Sequence, residues 1–457
     1  MPNYQLKSEK LLSEEFIKLI KLALPIVGSS ILHVLYNLTD MLWVGKLGTG
    51  AIAAVGTVGY YIFFAMAISS LIGIGSAIKI SHEVGAKNPK ASGEYAVASV
   101  WGIGLIALAS SIVMLFFSKN LIGFFNLQDE NVNLQAINYM KIAAFGLVLN
   151  YITIAFMSIV NSHGLTKISF RVNIIGVVIN IVLDPIFIFT LGLGVEGAAL
   201  ATVISRLMTT IVYLFYFKQS NIAFFNGFAP KFSKLKTIIQ ISSPTTGKRI
   251  TFMIISLVLA RIIAQWGAGA IAVQRIGVQI ESVTFMILWG ISQSTSILTG
   301  QYYGAKTIHN IKHVYNAGLK ISIGIGVTTT LLLVAFPELL MSIFFHETES
   351  ILLGKNYLII IGISQLFMCL EMLNEGAFNG LGKTQYPAVV SIIFTALRIP
   401  MAIYLGNYTS LALDGIWWSI SISSILKGII LFGLFQYVFF GIGKIRNKGL
   451  YFKLQNQ

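Results

Sequence analysis

Apolar runs long enough to cross a bilayer dominate this chain and limit what it can fold into. About twelve of them lie near residues 16–44, 52–81, 95–117, 136–160, 172–190, 195–217, 237–264, 270–299, 317–344, 356–378, 387–405 and 415–440. A spanning helix needs roughly 20 apolar residues. The runs are continuous rather than alternating, which argues against the period-two pattern of a membrane β-barrel. The chain therefore reads as an all-α polytopic membrane protein. Of its 457 residues 56% are hydrophobic and 11% charged, whereas soluble domains carry roughly 25% charged residues. That argues against a soluble enzyme, a coiled coil or a disordered regulator. The single Cys369 rules out an internal disulfide and a multi-cysteine metal cluster. No Walker A, HExxH or GxSxG-with-triad pattern is present, so an ATP-driven pump or hydrolase has no support and the chain is not read as an enzyme.

The net charge of +15 has a topological cause. One set of alternate connections holds 19 Lys and Arg, among them Lys444, Arg446, Lys448 and Lys453, and the other set holds 3. Twelve spans put both termini on one side, and the positive-inside rule makes that side the cytoplasm. Nucleic acid is therefore not an expected partner; membrane lipid is. Residues 1–15 show no signal-peptide pattern. The expected location is the cell (inner) membrane of a prokaryote.

The chain also contains two copies of itself. Pro25 matches Pro244, the string from Gly48 to Ala53 matches that from Gly267 to Ala272, and Gly85-Ala86-Lys87 matches Gly304-Ala305-Lys306, all at one common offset. Asn161, Gly164 and Gly197 match Asn379, Gly382 and Gly415 at an offset shorter by one position. Six spans per copy keep both copies in one orientation, so a pseudo-two-fold along the membrane normal is expected to relate them. The expected organisation is an N-terminal lobe (1–217), a basic cytoplasmic linker (218–236) and a C-terminal lobe (237–457).

Ionisable residues inside spans are costly and point to function. The first copy has Asp40 in span 1 and Asp184 in span 5, with Asn180 one turn before Asp184; Ala198 and Thr202 show the same spacing in span 6. Counting the rise per residue puts Asp40, Asp184 and Thr202 roughly 6–10 Å from the outer ends of their spans. Pro185 frees the carbonyl of Ile181. This all-oxygen set suits Na⁺, and equally suits a carboxylate pair sharing a proton. A structural reading, in which each acid caps freed backbone, stands beside it. The equivalents in the second copy are Leu259, Arg398, Ala402, Ile416 and Ile420, so the fold alone does not demand the set.

The second copy carries another cluster. Lys248, Arg249, Arg261, Arg275 and Arg398 stand against Glu281, Glu371 and Glu375. It reads either as a neutralised network that orders the lobe or as a substrate or coupling site.

These motifs resemble the MATE (multidrug and toxic compound extrusion) transporters, in particular their DinF-like branch. The similarity rests on YNLTDMLWVGKLG around Asp40, NIVLDPIFIFTLGLGVEGAALAT around Asp184 and ALPIVGS at Pro25, together with the repeat and the span count. The resemblance implies two six-helix lobes around a central cleft and antiport of H⁺ or Na⁺ against small organic compounds, amphipathic or cationic. It places the first-lobe cation site at Asp40, Asn180, Asp184, Ala198 and Thr202, with Tyr36 nearby and Pro25 as the point where helix 1 bends. No cofactor beyond the coupling ion is expected, and nothing requires more than a monomer. A flippase or exporter of a lipid-linked or anionic precursor is the alternative, suggested by the basic second lobe.

Overall fold

The computed structural model describes residues 2–220, 222 and 229–441, and the side chains of residues 14–439 among them. Helices follow one another throughout. The first copy gives α1 (Pro2–Gly45), α2 (Thr49–Gly85), α3 (Pro89–Phe116), the short α4 (Ser118–Gly123), α5 (Glu130–Ser162), α6 (Thr166–Pro185) and α7 (Gly194–Gln219). The second gives α8 (Phe232–Ala264), α9 (Ala268–Gly304), α10 (Ile308–Ala335), the short α11 (Pro337–Ser342), α12 (Thr348–Gly380), α13 (Gln385–Ala396), α14 (Arg398–Asn407) and α15 (Leu413–Phe435). No strand occurs among the described residues. Among the described residues eleven helices are long and apolar enough to cross a membrane, α13 and α14 together counting as one. The expected span outside that set is α8, a 33-residue helix that carries Lys248, Arg249 and Arg261. The protein is thus an all-α polytopic membrane protein.

Helix ends differ from the apolar runs for local reasons. α3 and α5 begin about six residues before the apolar runs at 95 and 136 because polar caps start them. The Asn88 side chain accepts from the amide of Ala91 at 3.1 Å, and Asp129 accepts from the amide of Asn131 at 2.7 Å. The run at 317–344 is not one helix: α10 stops at Ala335 and Pro337 opens α11.

The two copies share a backbone. α2 and α9, α3 and α10, and α4 and α11 begin and end at equivalent positions of the repeat, and α5 and α12 do so at the offset shorter by one. Left-handed residues recur as well: Gly48 with Gly267, Lys87 with Lys306, Gly164 with Gly382, and Gly194 with Ala412. α4 begins at Ser118 where α11 begins at Pro337, so proline is not what breaks the helix at this place.

The chain divides into two compact units. One contains Met1–Ile20, Gly247–Thr299 and Ile308–Gln457; the other contains Lys21–Thr246 and Gly300–Thr307. The divisions fall inside α1, α8 and α9 rather than at the 218–236 linker, of which residues 221 and 223–228 lie outside the described set. Helix α8 shows why. Near its start Ser242 accepts from the amide of Gly75 at 2.7 Å and Thr246 bonds Ser70 at 3.0 Å. Further along, Ile255, Leu259 and Ile263 join a different core with Tyr357 and Trp417. The core of the Lys21–Thr246 unit is built from Val58, Ile72, Ile103, Tyr151, Ile159 and Tyr213. The four basic residues from Lys444 to Lys453 lie outside the described residues.

Candidate functional site

The acidic-polar set assembles within the Lys21–Thr246 unit, on α1, α6 and α7. The Tyr36 hydroxyl and Thr202 Oγ1 are 2.8 Å apart, which ties α1 to α7. Asn180 Nδ2 donates to Asp184 Oδ1 at 3.0 Å along one face of α6. Asn180, Asp184 and Ala198 are fully buried, Tyr36 is buried, and Asp40 and Thr202 are half-buried. Asp40 and Asp184 are electrostatic neighbours of one another, and both act on the Tyr36 hydroxyl.

Three buried oxygens here have no hydrogen-bond partner among the described residues: Asp40 Oδ1, Asp184 Oδ2 and Asn180 Oδ1. Carboxylate and amide oxygens only accept, so what these lack is something electropositive. Burying such groups unsatisfied is unfavourable, and a proton or a hard cation would satisfy them. The donor set therefore fits either ion. The backbone beside it is irregular. Helix α6 ends at Pro185, directly after Asp184, and Ile186–Thr190 winds more widely, with the Leu191 amide donating to the Ile186 carbonyl at 2.8 Å. Pro25 lies buried within α1, which runs unbroken through it.

The other expected cluster lies in the unit that contains Gly247–Thr299 and Ile308–Gln457, and it is largely paired. Lys427 Nζ stands 2.9 Å from Glu371 Oε2, and Ser391 Oγ donates to Glu371 Oε1 at 3.1 Å. Lys248 meets Glu375 at 2.5 Å. Glu281 accepts from the Tyr357 hydroxyl at 2.6 Å and from Gln365 Nε2 at 3.3 Å. Arg398 donates to Ser423 at 2.9 Å and to Ser424 at 3.0 Å. The Arg249 guanidinium lies 5.5 Å from the Trp289 ring centroid. Arg261 and Arg275 do not join the cluster; both are exposed.

Three further residues belong to these sites that the sequence reading passes over. Lys427, the partner of Glu371, is a lone lysine in the apolar run 415–440. Arg206 lies one turn after Thr202 on α7, so its spacing was the available signal. Buried Tyr139 on α5 is an electrostatic neighbour of Asp40, Asp184 and Tyr36.

A family model described as MatE matches residues 25–186 and, a second time, residues 244–404. The two matches begin at Pro25 and at its repeat equivalent Pro244. The chain is 30% identical over 411 residues to a protein named probable multidrug resistance protein NorM from Thermotoga maritima, covering 88% of each. It is 24% identical to the probable multidrug resistance protein YoeA of Bacillus subtilis, over 91% of this chain and 92% of that one. A crystal structure described as MATE in the bent conformation superposes with a TM-score of 0.88 at 24% identity, over 96% of this chain and 98% of that one. That likeness extends the all-α fold over nearly the whole chain.

Proposed function

The chain belongs to the MatE family, and from that membership we propose that it is a cation-coupled secondary antiporter that exports organic compounds across the cell membrane. The names of its relatives, multidrug resistance proteins, support small organic molecules as the cargo. The observation that carries the coupling is the set of buried acceptor oxygens on Asp40, Asn180 and Asp184 that lack a donor. H⁺ or Na⁺ loads there from outside. Loading changes the charge beside the Tyr36–Thr202 bond and so biases the two access states. A ligand shifts such an equilibrium only by its different affinity for the two states. The two repeats act as the two lobes, Pro25 is where α1 gives way, both termini lie in the cytoplasm, and a single chain suffices. The ion pairs Lys427–Glu371 and Lys248–Glu375 support an ordering role for the second cluster over capture of an anionic precursor.

The test is efflux of a fluorescent organic cation from everted vesicles under a proton gradient or a Na⁺ gradient imposed separately, with wild type beside Asp184→Asn. One gradient should drive wild-type export, and the variant should not respond. Export by Asp184→Asn at the wild-type rate refutes the role of the acids. No export under either gradient refutes the substrate class or the mode of transport.

A further inference from the structure

Arg206 sits inside a span with no carboxylate within 4 Å of it among the described residues. Its guanidinium carbon lies 5.1 Å from the centroid of the Tyr36 ring. The ring of His33 stacks on the same tyrosine, with centroids 6.3 Å apart and planes 3° from parallel. Arg206 also acts electrostatically on His33. The Tyr36 hydroxyl bonds Thr202 and feels Asp40 and Asp184. Tyr36 lies one turn from Asp40 and His33 one turn further along α1, while Arg206 lies one turn past Thr202 on α7, so the positive charge sits on the His33 side of the Tyr36–Thr202 bond. The repeat shows that the fold does not ask for this set. His33, Tyr36 and Arg206 correspond to Phe252, Ile255 and Ser424 in the second copy.

An arginine inside a membrane span is expensive and is retained for a purpose. An aromatic face holds the guanidinium without neutralising it. Such a charge can attract an anion or repel a cation. Coupling separates the two. A cation loaded on Asp40 and Asp184 would tighten an anionic cargo at Arg206, which works against exchanging one for the other. Repulsion of a cation works with exchange.

We propose that Arg206 is the electrostatic floor of the cation site: it keeps the H⁺ or Na⁺ held by Asp40 and Asp184 from passing Tyr36 toward His33, so that ions cross only with the transport cycle. The inference rests on the antiporter reading above. Fixed positive charge excludes cations from membrane paths in the same way elsewhere.

The test uses purified full-length protein in proteoliposomes. Substrate-free H⁺ and Na⁺ flux under an imposed gradient is measured for wild type, Arg206→Gln and Arg206→Lys, and export of the fluorescent cation is measured in the same vesicles. Arg206→Gln should raise substrate-free flux roughly tenfold, as expected for one charge at about 10 Å in an effective dielectric of about 20. Arg206→Lys should stay within about twofold of wild type, because it keeps the charge. An Arg206→Gln protein no leakier than wild type overturns the proposal, and so does an Arg206→Lys protein as leaky as Arg206→Gln. If Arg206→Gln does not insert, Arg206→Cys replaces it. A cationic methanethiosulfonate reagent should then lower its leak and a neutral one should not; equal responses overturn the proposal. Native Cys369 is buried, so treated wild type is the baseline. Wild type that exports under neither gradient refutes the substrate class or the antiport mode, while the leak comparison still decides the role of Arg206.

Discussion

Gly85 and Gly304, equivalent positions of the repeat, each lie against the backbone of the other's helix. A Cβ on Gly85 would overlap the carbonyl oxygen of Gln301, and a Cβ on Gly304 would overlap that of His82. His82 and Gln301 are themselves equivalent positions of the repeat, so the contact is reciprocal. The Gln301 side chain adds a bond to the Ser162 carbonyl at 2.9 Å, and the rings of His82 and Tyr303 lie 4.9 Å apart.

Backbone cannot rotate away as a side chain can, so alanine at this crossing must push α2 and α9 apart. Gly85→Ala and Gly304→Ala should each destabilise the protein by about 1–3 kcal/mol, the usual penalty of overpacking. Gly104→Ala is the control, since nothing lies within 4 Å of a Cβ there. Thermal unfolding in detergent checks this, with both crossing variants melting below wild type and Gly104→Ala at or above it.

Asp40→Asn and Asp184→Asn should each insert normally and abolish gradient-driven export. Each keeps the shape of the side chain and removes the charge that a coupling cation would meet. Export assays beside a membrane-fraction blot check this; a well-inserted Asp40→Asn protein with normal export contradicts it.

Tyr36→Phe removes only the 2.8 Å bond to Thr202 and leaves the ring in place. A hydrogen bond of this kind is worth about 0.5–1.5 kcal/mol. Export should therefore fall by roughly 2- to 10-fold rather than vanish. Initial export rates at matched expression decide it.

Glu371→Gln strands the buried charge of Lys427 and should destabilise the protein by about 3–5 kcal/mol. The repeat supplies a compensated version. The equivalents of Glu371 and Lys427 are Thr153 and Thr209, both uncharged, whose hydroxyls donate to carbonyls of their own helices, Leu149 at 2.9 Å and Arg206 at 2.9 Å. The double replacement Glu371→Thr with Lys427→Thr should recover most of the loss. A double-mutant cycle on melting temperature reads the coupling.

The spans, the repeat and the two acids are legible in the sequence because hydropathy, self-similarity and a carboxylate in an apolar run are all one-dimensional signals. The break before α4 coincides with the end of the apolar run at 117, where Lys119 and Asn120 follow Ser118, whereas its twin before α11 lies inside the run 317–344, whose apolar character continues past Pro337. Arg206 and Lys427 carry the same one-dimensional signal as the acids, an ionisable residue in an apolar run, but their roles, like that of Tyr139, depend on other helices. Each gains meaning from a partner on another helix: Tyr36 for Arg206, the acids for Tyr139, Glu371 for Lys427. Arg261 and Arg275 erred in the opposite direction. They counted toward a cluster by sequence, but both are exposed and join none of its ion pairs.

The two copies keep one backbone while their cationic groups have changed helices. Arg206 on α7 has Ser424 as its counterpart, whereas Asn180 on α6 has Arg398, which bonds that same Ser424. A duplicated ancestor could therefore diversify by exchanging side chains at matched places without redesigning its frame. Each half became free to specialise, one keeping buried acids without a basic partner and the other keeping paired charges. Altered cargo preference in relatives should thus arise from substitutions at such matched places more readily than from insertions or rebuilt helices.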